Sequence, residues 1–247
     1  MDRSISIAIP YYNNSNFMNE TLKTIVNDNR ISEIVICDDK SNDIDALKKK
    51  LEDISSNKVK LFENKKNMGC YHNKINSVTK CTNEWCILLD SDNYLEKDYL
   101  DRLFEINDWE KNTIYVPDRP KTFPGNPSQN MDYRKYSDQY ITKEKYINNF
   151  NNINFQCLIN TCNYFLPCKE FVLCMKDGFN KYNRNIIDCL DSAVLFTDWL
   201  CKNKIKVVKG LEYYHRLHSN SNYMNGLSRK YEADVKARLL SKIKMNK

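Results

Sequence analysis

The sequence predicts an α/β domain built on a mainly parallel sheet, and three observations carry that reading. Strand-like and helix-like patterns alternate from the N-terminus as β-α-β-α-β. Apolar runs such as "EIVIC" are continuous rather than alternating, as in parallel strands covered on both faces. Polar side chains, four aspartates among them, follow strand after strand, and open α/β sheets place their ligand crevices at the carboxyl ends of strands.

Taken in order, "SISIAIP" (Ser4 to Pro10) alternates and stops at proline, the pattern of a strand entering a turn. "NNSNFMNETLKTIVNDNR" supplies Asn and Ser caps and puts Phe17, Leu22, Ile25 and Val26 at helical spacing. "SEIVICDD" is the second strand and ends in Asp38 and Asp39. A helix follows with Ile44, Leu47, Leu51 and Ile54 on one face, and "KVKLFEN" is the third strand. "CILLDSDN" is the fourth, and it runs directly into Asp90 and Asp92.

From Pro117 the texture changes to "PDRPKTFPGNPSQNMDYRKYSDQY", read as a long loop entering a second lobe. Three parts are therefore expected: 1–116, 117–222 and 223–247. Beyond the loop come a short strand "CNYFLP", a helix "FVLCMKDGFN" ending at Gly178, a helix "IIDCLDSAVLFTDWLCKN" and a strand "KIKVVKG". The chain closes with a basic amphipathic helix, in which Tyr231, Val235, Leu239 and Ile243 recur every four residues. Such a helix docks on the core, dimerises or lies on an anionic membrane surface; docking is the default expectation.

Composition narrows the function classes. A content of 41% hydrophobic residues, with 16 Tyr and 10 Phe against 5 Gly and 6 Pro, describes a packed protein rather than a disordered one. The net charge of +6 is modest and no arginine-rich block accompanies it, so nucleic acid is not an expected partner. The segment "MDRSISIAIPYYNN" lacks the apolar stretch of a secretory leader, and no run of 18 apolar residues occurs. The ten cysteines form no CxxC pair and lie in apolar segments, so they read as reduced thiols packed as small hydrophobes in a cytoplasmic protein with at most peripheral membrane contact.

Asp90 and Asp92 are the first functional candidates. Two carboxylates held together at a buried strand end repel and are costly to desolvate, and a divalent cation is the natural compensation. Read alone, the same residues also fit a solvated turn that caps the next helix.

The ordered set "IAIPYYNN", "EIVICDDKSND", "NMGCYHNKIN", "CILLDSDN", "KDGFN" and "YYHRLHSNS" resembles the family 2 glycosyltransferases of the GT-A fold over roughly residues 4 to 222. The resemblance implies a nucleotide-diphospho-sugar transferase, Rossmann-like, with a mixed, mainly parallel sheet and an acceptor-side lobe. It further implies transfer from a UDP- or GDP-sugar donor to a hydroxyl of a glycan, protein or lipid, mostly with inversion. The DxD-like element Asp90, Ser91 and Asp92 would help hold Mn²⁺ or Mg²⁺ against the donor phosphates, with Asp92 as direct ligand, Asp90 bonded to the metal, its waters or the ribose, and His218 as a third ligand.

Pro10, Tyr12 and Asn13 would line the base pocket, with packing an equal reading for Tyr12. Asp39 would meet the base while Asp38 supports its loop. Where many relatives carry Arg near the phosphates, this chain offers only Lys74 or His72. The acidic pair that supplies the general base in relatives is also missing; Asp191 falls nearest to it, with Asp188 three residues earlier on the same expected helical face as the alternative. That departure motivates a rival expectation: a catalytically idle binding protein of the same fold.

Overall fold

The computed structural model describes residues 3–123, 131–176, 187–218 and 227–245. A single mixed sheet runs through them in the order Val59–Glu63, Ile31–Asp38, Ile5–Tyr11, Trp85–Leu88, Tyr164–Pro167, Thr113–Phe123, Lys204–Arg216 and Tyr94–Leu95, with Tyr140–Ile141 paired to Lys204–Arg216. Its first half holds the expected strands: β1 (Ile5–Tyr11), β2 (Ile31–Asp38), β3 (Val59–Glu63) and β4 (Trp85–Leu88). The pairs β1–β2, β1–β4 and β2–β3 are all parallel. The crossovers carry α1 (Met18–Lys23), α2 (Ile44–Ile54) and α3 (Cys70–Thr79). The first helix is shorter than its apolar spacing predicts. Leu22 and Ile25 are fully buried as expected, but Ile25 lies in a tight turn whose N–H bonds to the Leu22 carbonyl at 3.0 Å.

The remaining elements are β5 (Tyr94–Leu95), α4 (Tyr99–Phe104), β6 (Thr113–Phe123), β7 (Tyr140–Ile141), α5 (Lys143–Asn149), α6 (Ile153–Ile159), β8 (Tyr164–Pro167) and α7 (Cys168–Lys176). They are followed by α8 (Asp191–Leu200), β9 (Lys204–Arg216) and α9 (Leu227–Met245). Strand β8 is antiparallel to β4 and β6, whereas β6 and β9 are parallel.

The stretch from Pro117, expected to be loop, is strand as far as Phe123. Beyond Tyr115 the described pairing of β6 is with β9 alone, so Pro117 and Pro120 sit where one edge needs no donor, next to a register shift between Pro117 and Arg119. The expected boundary at 116/117 thus falls inside a continuous strand. The tip of the loop, 124–130, lies outside the described residues.

Side chains alternate across the sheet and build a core on each face. Ile5, Ile7, Ile9 and Tyr11 of β1 pack with Leu47 of α2 and Leu103 of α4 on one side, while Ala8 faces the other, with Tyr71 and Val78 of α3 and Phe171 of α7. Helix α9 docks on this second core through Val235, Leu239 and Ile243, all at most 2% exposed. Its Lys242 forms an ion pair with the buried carboxylate of Asp198 in α8. Lys242→Ala is expected to lower stability by about 3 kcal/mol, because it strips a counter-ion from a buried charge; thermal unfolding of the variant checks this. No helix among the described residues is long and apolar enough to cross a membrane.

Candidate active site

The loops leaving β1, β2 and β4 meet the N-termini of α3 and α8 and the end of β9. At this junction the acids singled out in the sequence divide into three groups, and α3 organises two of them.

The first group secures the start of α3. Asp39, at the end of β2, accepts the backbone N–H of Met68 at 2.6 Å, that of Gly69 at 2.8 Å and the Asn64 amide at 3.0 Å. Gly69 precedes the helix at φ 88°, a conformation that glycine adopts without strain. Asp188 accepts the Tyr71 N–H at 3.0 Å. Two carboxylates therefore take three backbone donors at and just before the positive end of α3.

The second group centres on Lys74, one turn into α3. Its ammonium lies 2.7 Å from Asp191 Oδ2, 3.1 Å from Asp90 Oδ1 and 3.1 Å from Ser192 Oγ. The side chains of Lys74, Asp90 and Asp191 are 6, 23 and 19% exposed, so the triad is largely shielded yet open along its carboxylate edge. An ammonium has three N–H bonds, and all three are matched here. Where a contact of Lys74 with donor phosphate was expected, this lysine here binds two acids together. Its effect on them differs. Burial opposes ionisation of Asp90, but Lys74 outweighs it and holds the carboxyl below its ordinary range. Burial raises Asp191, with Lys74 pulling the other way and Asp90 adding to the rise.

The third group is Asp92 and His218, whose Oδ2 and Nε2 atoms are 2.8 Å apart. Arg216 fixes the approach. Its guanidinium Nε donates to the Asp92 carbonyl at 3.0 Å, its backbone N–H donates to Asn93 Oδ1 at 2.9 Å, and it pairs with Glu20. Within the preceding strand end, Asp90 takes its direction from Asn163, whose Oδ1 accepts the Asp90 N–H at 2.9 Å.

The family model described as Glycosyl transferase family 2 matches residues 6–166. The chain belongs to this family. Among solved structures, this family 2 glycosyltransferase is similar to S. aureus TarS residues 1–349, with a TM-score of 0.63 and 16% identity over 98% of this chain and 71% of that one. The same TarS fragment in complex with UDP-GlcNAc gives 0.65 and 14%, covering 98 and 72% of the two chains. The mannosyltransferase PcManGT from Pyrobaculum calidifontis, in complex with GDP-Man and Mn²⁺, gives 0.64 and 12% over 96 and 64%. These likenesses establish the GT-A fold. Comparison with curated proteins gave no match.

Within the glycosyltransferase, the residues present fit a divalent cation, although differently from the set expected. Asp92 and His218 meet, but Asp90 turns to Lys74, so Asp90, Asp92 and a histidine do not converge as one three-ligand group. Next to them, buried His215 Nδ1 has no hydrogen-bond partner among the described residues. Burial lowers the pKa of this imidazole, against the pull of Asp92 and Asp90, leaving a neutral nitrogen donor available. A carboxylate, one or two imidazoles and open positions suit Mn²⁺ or Mg²⁺, which complete their shells with water and phosphate oxygens.

The first loop is tied down by Asn13, at φ 53°: its N–H donates to Ser41 Oγ at 3.0 Å and its side-chain oxygen accepts the Asn42 N–H at 2.8 Å. Asp38 accepts the Lys40 and Ser41 N–H groups at 3.1 Å within the loop that follows β2. Tyr12 is 48% exposed, which removes packing as its role. Asp39 has three of its roughly four acceptor positions filled within the protein and is 2% exposed, so it holds the start of α3. Ser91 is buried and its hydroxyl accepts the Asn14 amide at 2.8 Å, bracing the β4 loop against the β1 loop. His72 stacks edge-on with Tyr71 at 5.1 Å.

One helical expectation is also corrected. Residues Asp188–Leu190 form a 3₁₀ turn, Leu190 leaves the helical region at φ −136° and ψ 54°, and α8 begins only at Asp191. Asp188 and Asp191 therefore do not share a helical face, and they serve different helices. Gly178, Phe179 and the serines after His218 lie outside the described residues. Ser192 and Asn163 were missed in the sequence, since each acts by hydrogen-bonding a partner far along the chain and no spacing announces it.

Proposed function

We propose that this family 2 enzyme moves a sugar, with inversion, from a UDP- or GDP-sugar to an acceptor hydroxyl, with a divalent cation as cofactor. What supports this reading is the Asp191–Lys74–Asp90 triad lying beside the Asp92–His218 pair at the carboxyl ends of the strands. Asp191 is the general base, at the first position of α8 and raised above an ordinary carboxylate, which makes it a better proton acceptor. It takes the acceptor's hydroxyl proton as the oxygen bonds to the anomeric carbon, and the bond to the nucleotide diphosphate breaks on the opposite face.

Asp92 and His218 would hold Mn²⁺ or Mg²⁺, with His215 nearby, and the bound cation would neutralise charge gathering on the leaving diphosphate. Lys74 holds the base and Asp90 in fixed relation. Tyr12, Pro10 and Asn13 form the floor on which a nucleobase rests, and the acceptor enters from the side of 117–222.

The donors of the two structural relatives, UDP-GlcNAc and GDP-Man, are the first substrates to test. One of these, or another UDP- or GDP-sugar, is expected to be hydrolysed or transferred only with Mn²⁺ or Mg²⁺ present. Asp92→Ala is expected to abolish turnover, and His218→Ala to weaken Mn²⁺ affinity by at least about tenfold; unchanged affinity removes His218 as a ligand. Binding without turnover would leave an idle binding protein.

A further inference from the structure

At the opposite end of β4 from Asp90, three cysteines from distant parts of the sequence converge. Cys86 lies in β4 on the face turned to α3 and α7, Cys81 follows the end of α3, and Cys168 opens α7 directly after β8. All three Sγ atoms lie within 4.8 Å of one another. The Cys81 thiol also donates to the Ser77 carbonyl of α3 at 3.5 Å, which fixes its place at the end of that helix. Cys86 and Asp90 are four residues apart, about 13 Å along a strand, so this cluster is separate from the sugar-nucleotide site.

The fold aims these side chains at each other. Antiparallel pairing of Trp85 with Pro167 and of Cys86 with Leu166 brings the start of β4 to the end of β8. The Cys168 N–H then donates to the Glu84 carbonyl at 2.9 Å, which fixes where α7 begins. Cys86 is fully buried and Cys168 is 7% exposed, while Cys81 is partly exposed and leaves one side open. Cysteines used only as small hydrophobes have no reason to point three sulfurs at one spot. Among the described residues this is the one group of three or more His, Cys, Asp or Glu ligands that closes in this way.

The neighbouring carboxylate does not complete the set. Glu33 Oε1 accepts Ser6 Oγ at 2.6 Å, the Thr82 N–H at 2.5 Å and Thr82 Oγ at 2.9 Å, and Oε2 pairs with Lys60 at 2.7 Å. Three sulfurs and an open fourth position remain. Thiolates select thiophilic cations, and Zn²⁺ accepts three protein ligands plus a water. Tetrahedral Zn–S bonds of about 2.3 Å require sulfurs roughly 3.8 Å apart, inside the observed limit.

We propose that Cys81, Cys86 and Cys168 form a Zn²⁺ site of three thiolates and one water, which staples β4, α3 and α7 together behind the catalytic sheet edge. Binding releases the thiol protons and leaves the buried cluster with a single net negative charge. Because the metal binds only the folded arrangement, it stabilises the protein by mass action.

The test uses the full chain, reduced and freed of metal, titrated with Co²⁺ alone. One equivalent is expected to produce a thiolate-to-cobalt charge-transfer band that Zn²⁺ then bleaches, and Zn²⁺ is expected to raise the melting temperature. Cys168→Ser and Cys81→Ser should each weaken Zn²⁺ binding by at least about 100-fold, beyond what loss of a merely supporting contact costs. Cys157→Ser and Asp92→Ala should keep the band. Cys81→Ser, at a partly exposed position, carries the test if Cys168→Ser does not fold. Absence of the band at one equivalent, or a band unchanged in Cys81→Ser, overturns the assignment.

Discussion

Asp191→Asn is expected to lower the rate of sugar transfer by about 10²- to 10⁴-fold, the contribution typical of a positioned general base, while the donor still binds within a few-fold of the parent. The side chain keeps its shape at the start of α8, and Lys74 keeps Asp90 and Ser192 as partners, so the variant should fold. Steady-state transfer and donor titration, run side by side, separate the two effects. The pH dependence gives a second readout. Burial raises the pKa of Asp191, so kcat of the parent should fall on the acid side at a pH above that of an ordinary carboxylate, and Asp191→Asn should lose that limb. Asp188→Asn is the contrast. Asp188 accepts a backbone N–H at the start of α3, so its loss should cost stability of about 1 kcal/mol before it costs chemistry.

Lys74→Met is expected to be among the most destabilising single changes in the chain. It fills similar volume but leaves Asp90 and Asp191 shielded from water without their shared cation, a situation that costs about 3–5 kcal/mol. For a chain of this size that is a drop in melting temperature of roughly 10 °C. The sign of the pH effect is fixed by the same contact. Without Lys74 the folded-state pKa of both carboxyls rises above the unfolded value, so the variant should recover stability as the pH falls and they protonate, and lose it as the pH rises through those values. Lys74→Met combined with Asp191→Asn should recover part of the loss, because one of the two stranded charges is gone. Thermal unfolding of the four proteins across pH checks both expectations.

The parallel half of the fold was legible because its chemistry is local. A run such as "EIVIC" has one comfortable environment, and a strand covered on both faces supplies it. The second half was less legible where pairing decided the outcome: the proline-rich stretch after Thr113 becomes strand because β9 lies alongside it, which no local pattern reveals. The candidate site shows the same division. Spacing brought Asp90 and Asp92 to notice, and the family resemblance Asp188 and Asp191, but the surroundings of Asp90 and Asp191 depend on a lysine more than a dozen residues away from either. Lys74, expected as a substitute for a phosphate-binding arginine, has its three donors matched within the protein by partners that no spacing announces. Likewise, Leu190 breaks a helix that the apolar pattern would continue, and this turns Asp188 and Asp191 to different helices.

The most direct test is a crystal of the protein grown with Mn²⁺ and UDP or GDP, with data collected at a wavelength where manganese scatters anomalously. An anomalous peak at Asp92 and His218, with the diphosphate of the nucleotide against it and the base near Tyr12, is the predicted result. A nucleotide bound elsewhere, or manganese absent from Asp92 while the nucleotide is present, would contradict it.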